Sequence, residues 1–346
     1  MSEPPRRILV VDLLGGLGDL VMALPVVHAL HRRHPRAELR VLTHAPGDAL
    51  LDHDPAVTTT VRTERGHERA AVLAELDRWR PDLAVTTSRY DGIGEAIEEV
   101  VPRSVTNLWR TPPPDEPVTA RYLRILADEQ VIDPDDVDLA PRIVLTRAER
   151  AAGEQVLDAA GCGPGQQPVL LVPAAGMAVK EWPHWRELAT ALSGRAFVVG
   201  EPSVLEAWRG GPALLLPPVS LRLLAAVFAA AGRRGGVVVG PDTGPMRVAA
   251  AVGARTVGIF GPTLASRYGL GPTGADLQGL PDCPHRCPTA ITEQVCWWEA
   301  QCPISLQGPA CMADVAPGRV LDLVRGRVSV PASSGDQLAL GSPGQK

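Results

Sequence analysis

Short continuous apolar runs alternate along this chain with stretches whose apolar residues recur every three to four positions. The first pattern reads as buried parallel strands, the second as helices covering them. In the first half the runs 8–14, 39–43, 57–61, 83–86 and 104–108 predict strands, with helices at about 20–34, 68–80, around Ala96, and 122–129. Thr146 and Glu149 have the spacing of a capping box, opening a helix that ends near Gly161. The second half restarts the rhythm, with strands at 169–172, 196–199, 214–216, 237–240 and 256–260 and helices at 185–192, 221–231 and after Pro245. Such alternation implies α/β domains, each a doubly wound, Rossmann-like parallel sheet covered on both faces. The loop GCGPGQQP marks the break, giving domains 1–160 and 161–328 that face each other across a cleft. The segment 329–346 lacks periodicity and is expected to be a disordered tail.

Length supports this division, since 346 residues with 45% hydrophobic content are long for one core. A net charge of −5 provides no global basic field, which argues against nucleic acid as a partner. Arg32, Arg33 and His34 fall at the carboxyl end of a helix, where cations offset the dipole. The run 8–14 is too short for a signal-peptide core, and nothing approaches the ~20 apolar residues of a membrane span. A cytoplasmic protein is expected, with peripheral membrane contact left open.

The stretch VVVGPDTGPMRVAAAVGARTVGIFGPT, 237–263, reads as strand, turn, helix, strand. Asp242, Thr243 and Gly244 occupy the turn and Pro245 the first helical position. That helix aims its amino end at the strand ends, where unpaired N–H groups suit a phosphate. A capped crossover without a ligand needs only Asp or Thr and fits the motif equally. Near the amino end, Gly15, Gly16, Gly18 and Asp19 join the first strand to its helix. A dinucleotide-binding turn would carry a third glycine where this chain has Val21, and an acidic residue where the second strand ends at His44. A nucleotide-dependent oxidoreductase is therefore disfavoured.

Three segments in order, ILVVDLLGGLGDLVMALPVVHALHRRHP, AAGMAVKEWPHW and PDTGPMRVAAAVGARTVGIFGPT, resemble the lipopolysaccharide heptosyltransferases, family nine of the glycosyltransferases. The resemblance implies a GT-B architecture, with the nucleotide-sugar donor on the second domain and the acceptor on the first. It implies an inverting transfer of a sugar, heptose by analogy, from an ADP-sugar to an acceptor hydroxyl, with no catalytic cofactor. Asp19 matches the family's general base, for which helix capping is the structural alternative. Lys180 matches the lysine on the donor's phosphate side, Asp242 the carboxylate on donor hydroxyls, and Thr243 and Gly244 the diphosphate cradle. Ala174, Ala175 and Gly176 match the loop before that lysine, Val219 and Ser220 the adenine contact, and Glu201 the ribose contact. Arg247 stands where the family has His, Pro245 where it has Leu, and Asp12 where it often has Arg. Donor identity is the inference these changes touch most. The acceptor, a lipopolysaccharide-type glycan, another glycan or a small molecule, is not specified, and a non-catalytic nucleotide-sugar binder is the alternative reading.

Five of the six cysteines, Cys283, Cys287, Cys296, Cys302 and Cys311, crowd one segment. Such density in a cytosolic chain favours free thiols or a metal over disulfides. Related autotransporter heptosyltransferases hold a structural iron with four cysteines, and Cys283, Cys287, Cys302 and Cys311 match that layout, with Cys296 as a substitute. The resemblance thus implies a structural iron or zinc, against free buried thiols packing a loop.

Overall fold

The computed structural model describes residues 3–110 and 112–326. The segment 329–346, expected to be disordered, lies outside the described residues.

In the first half β1 (Arg7–Val11), β2 (Glu38–His44), β3 (Thr59–Thr63), β4 (Leu83–Thr86) and β5 (Arg103–Val105) form a sheet in the order β3-β2-β1-β4-β5. Its helices are α1 (Leu17–Arg33), α2 (Glu68–Trp79), α3 (Ile93–Val100) and α4 (Val118–Asp128). In the second half β6 (Val169–Leu171), β7 (Ala196–Val198), β8 (Leu214–Leu215), β9 (Val237–Pro241), β10 (Arg255–Phe260) and β11 (Ala275–Gln278) run in the order β11-β10-β9-β6-β7-β8. Around them lie α5 (Arg147–Ala159), α6 (Trp185–Ala191), α7 (Pro202–Ala207), α8 (Leu221–Arg233), α9 (Gly244–Ala251), α10 (Ala265–Tyr268), α11 (Ala310–Ala313) and α12 (Pro317–Val324). Every strand pair is parallel. Near-continuous burial along β1, β4, β6 and β9 is what a sheet covered on both faces requires.

The helix after β1 begins at Leu17, three residues before the position expected, so Gly16 is its N-cap and Asp19 lies inside the first turn. The Thr146–Glu149 capping box forms, and Glu149 also receives the Arg222 guanidinium from α8 at 2.7 Å. That contact keeps the Glu149 carboxyl at about 2. It also decides where α5 belongs. Gly153 lies so close to α8 that a Cβ there would stand 2.3 Å from the Ala226 carbonyl oxygen. The Ile143 amide donates to Ala251 at the end of α9. Helix α5 thus packs with the second sheet, and the crossing between halves precedes it rather than following Gly161. The glycines and prolines after Gly161 serve a turn into β6.

Candidate active site

In a doubly wound sheet the loops at the carboxyl ends of the strands line the functional crevice. Asp12 to Gly16 follow β1, Ala174 to Lys180 follow β6, Glu201 follows β7, Val219 and Ser220 follow β8, and Asp242 to Gly244 follow β9. Each predicted donor residue therefore stands on the same rim of the second sheet. Ser220 caps α8 by accepting from the Leu223 amide.

Asp242 is the centre of the second half's contribution. It is buried, and Lys180 Nζ donates to its Oδ2 at 3.0 Å, Arg247 Nη2 to its Oδ1 at 2.6 Å, and Thr263 Oγ1 to its Oδ2 at 2.9 Å. Burial alone would raise its pKa, but the Lys180 and Arg247 charges and these hydrogen bonds hold it at about 2. Asp242 is thus an anion at any physiological pH, and it does not cap α9. Thr243 does not cap it either, because its hydroxyl donates to the Pro241 carbonyl. The first amides of α9 are left without a side-chain acceptor, as an oxyanion cradle needs.

From the first half, Gly15 turns the chain with φ of 90° and offers its carbonyl to Arg65 Nη2 at 2.7 Å. At Gly16 a Cβ would lie 2.3 Å from Asp19 Oδ2, so only glycine lets that carboxylate sit over the helix start. Gly18 faces Arg247, whose Cδ would be 3.1 Å from an added Cβ, and Gly244 faces Leu17, whose Cβ would be 2.7 Å away. The amino ends of α1 and α9 therefore meet across the cleft, and Asp19 comes under the charges of the second half. Its pKa is raised by burial; Arg247 counters this, Asp242 adds to it, and Lys180 and the Gly16 backbone counter it again. Burial and the Asp242 charge thus raise the Asp19 pKa against the pull of two cations from the second half.

Asp12 lies deeper. Buried behind Asp19, it accepts from Thr87 Oγ1 at 2.6 Å, and burial together with the Asp19 charge raises its pKa to about 7. The sequence singled out Asp12 only as a departure from the family pattern. Two further residues at the site had no predicted role. Thr263 ends the Phe-Gly-Pro-Thr motif, which was its signal. Trp297 is buried with its ring 5.3 Å from Lys180 Nζ, whereas Trp298 is exposed. An apolar cavity of about 360 Å³ adjoins the site between the halves, bounded by Met22, Ala120, Leu139, Arg247, Ala250 and Leu270.

The cysteine segment is anchored by Arg286, whose guanidinium donates to the carbonyls of Gly261, Gly279, Leu280 and Pro281. Cys311 is buried, and burial pushes its thiol up to about 12, with Cys283, Cys296 and Cys302 contributing. Among the described residues no group of three or more His, Cys, Asp or Glu side chains is arranged to hold a metal ion. As placed, the thiols do not fit the iron or zinc that the resemblance implied.

Comparison with known proteins follows the same lines. Residues 103–280, more than half of the chain, match glycosyltransferase family 9 (heptosyltransferase). Lipopolysaccharide heptosyltransferase 1 of Pseudomonas aeruginosa is 30% identical over 194 residues, 51% of this chain and 52% of that protein, so the match spans about half of this curated relative. Among solved structures, a family 9 glycosyl transferase from Veillonella parvula has a TM-score of 0.75 at 14% identity, covering 94% of this chain and 98% of that one. The ADP-heptose lipopolysaccharide heptosyltransferase II of E. coli has a TM-score of 0.68 at 19% identity, covering 92% and 98%. The iron-containing dodecameric glycosyltransferase TibC of enterotoxigenic E. coli has 0.59 at 14%, covering 94% and 77%. At these identities the structures show a shared fold, the GT-B arrangement of two Rossmann-like halves expected from the sequence. The family match over residues 103–280 covers Lys180 and Asp242 to Gly244, and the chain belongs to glycosyltransferase family 9.

Proposed function

We propose that the protein transfers a sugar, heptose by family analogy, from an ADP-sugar donor to an acceptor hydroxyl with inversion, using Asp19 as the base. The observation that carries this reading is the meeting of Asp19 from the first half with Lys180, Asp242 and Arg247 from the second. The acceptor oxygen attacks the anomeric carbon, Asp19 takes its proton, and the bond from that carbon to the diphosphate oxygen breaks. Negative charge then grows on the departing ADP. Lys180 and the amides at the start of α9 offset that charge, as donors already aimed at a developing anion do. Asp242, fixed as an anion, accepts hydrogen bonds from donor hydroxyls. The relatives' names support the donor: one is an ADP-heptose lipopolysaccharide heptosyltransferase, another a lipopolysaccharide heptosyltransferase. No step is routed through the cysteine segment.

Nucleotide binding tests the donor half of the proposal. ADP and ADP-heptose should stabilise the protein against heat more than UDP, GDP or NAD, by about 2.7 kcal/mol at a hundredfold excess over Kd. Equal stabilisation by UDP-sugars or NAD would overturn the assignment.

A further inference from the structure

Two arginines outside the donor cluster are wholly buried, and they come from different halves. Arg121 on α4 is 0% exposed and Arg267 on α10 is 1% exposed. A buried guanidinium needs an acceptor for each face of its fork, because desolvating an unpaired cation is costly. Arg121 has Glu116 alone, through Nε at 3.2 Å, and its Nη1 and Nη2 are buried without an acceptor. Nε of Arg267 is likewise without one. Glu116 cannot compensate for both, since it also receives Arg124, at 2.7 and 3.0 Å. What remains around the pair is weakly polar. The Trp109 ring lies 5.3 Å from the Arg121 guanidinium, the Pro113 carbonyl accepts from Arg267 Nη1 at 2.8 Å, and the Tyr268 ring lies 5.8 Å from Arg267. Arg267 is close enough for its charge to disfavour that of Arg121, second only to burial itself.

Two like charges are buried close enough to oppose one another, and three of their donor nitrogens meet no acceptor, which is the chemistry a small multi-oxygen anion would satisfy. The position is at the edge of the cleft. Tyr122, next to Arg121, feels the charges of Asp19 and Asp12, and the Tyr268 carbonyl receives Arg247. We infer that Arg121 and Arg267 form an oxyanion site, separate from the Lys180–Asp242 cluster, that takes a phosphate or carboxylate group, free or carried by the acceptor. Its separateness from an ADP site rests on the donor reading given above. Glu116 competes with the incoming group for Arg121, so the segment that carries Pro113 and Glu116 must yield when the anion binds.

Thermal unfolding of the full-length protein in inorganic phosphate, against sodium chloride of equal ionic strength, tests the site. Phosphate should raise Tm by about 3 °C or more at saturation, and the rise should persist with ADP present in excess. Arg267→Met should abolish the rise while leaving the protein at least as stable in chloride, and Glu116→Gln should shift the response to lower phosphate concentration. A rise that ADP abolishes would mean that phosphate reads the diphosphate cradle, and it would overturn the inference. So would no phosphate-specific rise, or an equal rise in Arg267→Met. Should Arg267→Met fail to fold, an unchanged phosphate response in Glu116→Gln overturns it alone. If ADP does not bind at all, the donor reading fails, while the phosphate series still decides this site. Phosphate that inhibits transfer competitively with the acceptor marks an acceptor-borne group, and phosphate without effect on transfer marks a site for the free anion.

Discussion

Two buried carboxylates at the cleft, Asp242 and Asp12, are driven in opposite directions by their partners, and stability should register both. Asp242, held at about 2, contributes stability that is complete above its ordinary carboxylate range and is lost as pH falls from about 4 toward 2. Asp242→Asn should cost about 3 kcal/mol at pH 7, because it strands Lys180 and Arg247 as buried cations. Denaturant unfolding at pH 7 and pH 3 checks this: the cost should be smaller at the lower pH. Asp12 is the reverse case. Its folded pKa of about 7 lies above the unfolded value, so its ionisation subtracts stability as pH rises from about 4 through 7. Asp12→Asn keeps an acceptor for Thr87 and should be more stable than the native protein at pH 8, by on the order of 2 kcal/mol, with the gain vanishing near pH 4. A gain independent of pH would refute the assignment. At this scale the sequence was informative about identity and silent about state. It marked Asp242 and Lys180 through a motif, but only the fold shows that Asp242 accepts from Lys180, Arg247 and Thr263 instead of capping a helix.

Among the elements, those with an apolar run were legible and those without one were not. Strand β11, sequence ADLQ, buries only Leu277 and offers no alternating pattern to read. Helices α7 and α10 are six and four residues long, below the length at which periodicity shows. The contact between the α1 and α9 amino ends was invisible because glycine carries no pattern of its own. Gly244→Ala puts a methyl against Leu17 and should cost about 1–3 kcal/mol or hold the halves apart, measurable by denaturant unfolding together with ADP affinity. The cysteine segment illustrates a further limit. The resemblance grouped Cys283, Cys287 and Cys302 with Cys311, whereas what the fold shows is a segment anchored by Arg286 through the carbonyls of Gly261, Gly279, Leu280 and Pro281. With its thiol pushed up to about 12, Cys311 should react with a disulfide reagent at pH 8 only after unfolding, as should the buried Cys162, while the four partly exposed thiols react first. Collective protection of Cys283, Cys296 and Cys302 that a chelator releases, with about one iron or zinc per chain, would show instead that the segment closes around an ion.

For the molecule as a whole, the two-sheet plan followed from the alternation of runs, but the crossing between halves did not. The loop after Gly161 has the composition of a linker, and only the close approach of Gly153 to α8 assigns α5 to the second half. That assignment matters because α5 then packs on α8, on the side of the cleft that carries Asp242 and Lys180. The central claim is that the meeting of Asp19 with these residues makes it a base. Gly16, not Asp19, occupies the N-cap of α1, so Asp19→Asn retains size and polarity in the first helical turn without disturbing the cap residue. The decisive measurement is the rate of ADP release from ADP-heptose with acceptor present, compared between the native protein and Asp19→Asn at matched donor saturation. The account predicts a folded variant with unchanged ADP affinity and a kcat lower by roughly 10²–10⁴-fold. A folded variant that releases ADP at the native rate would contradict it.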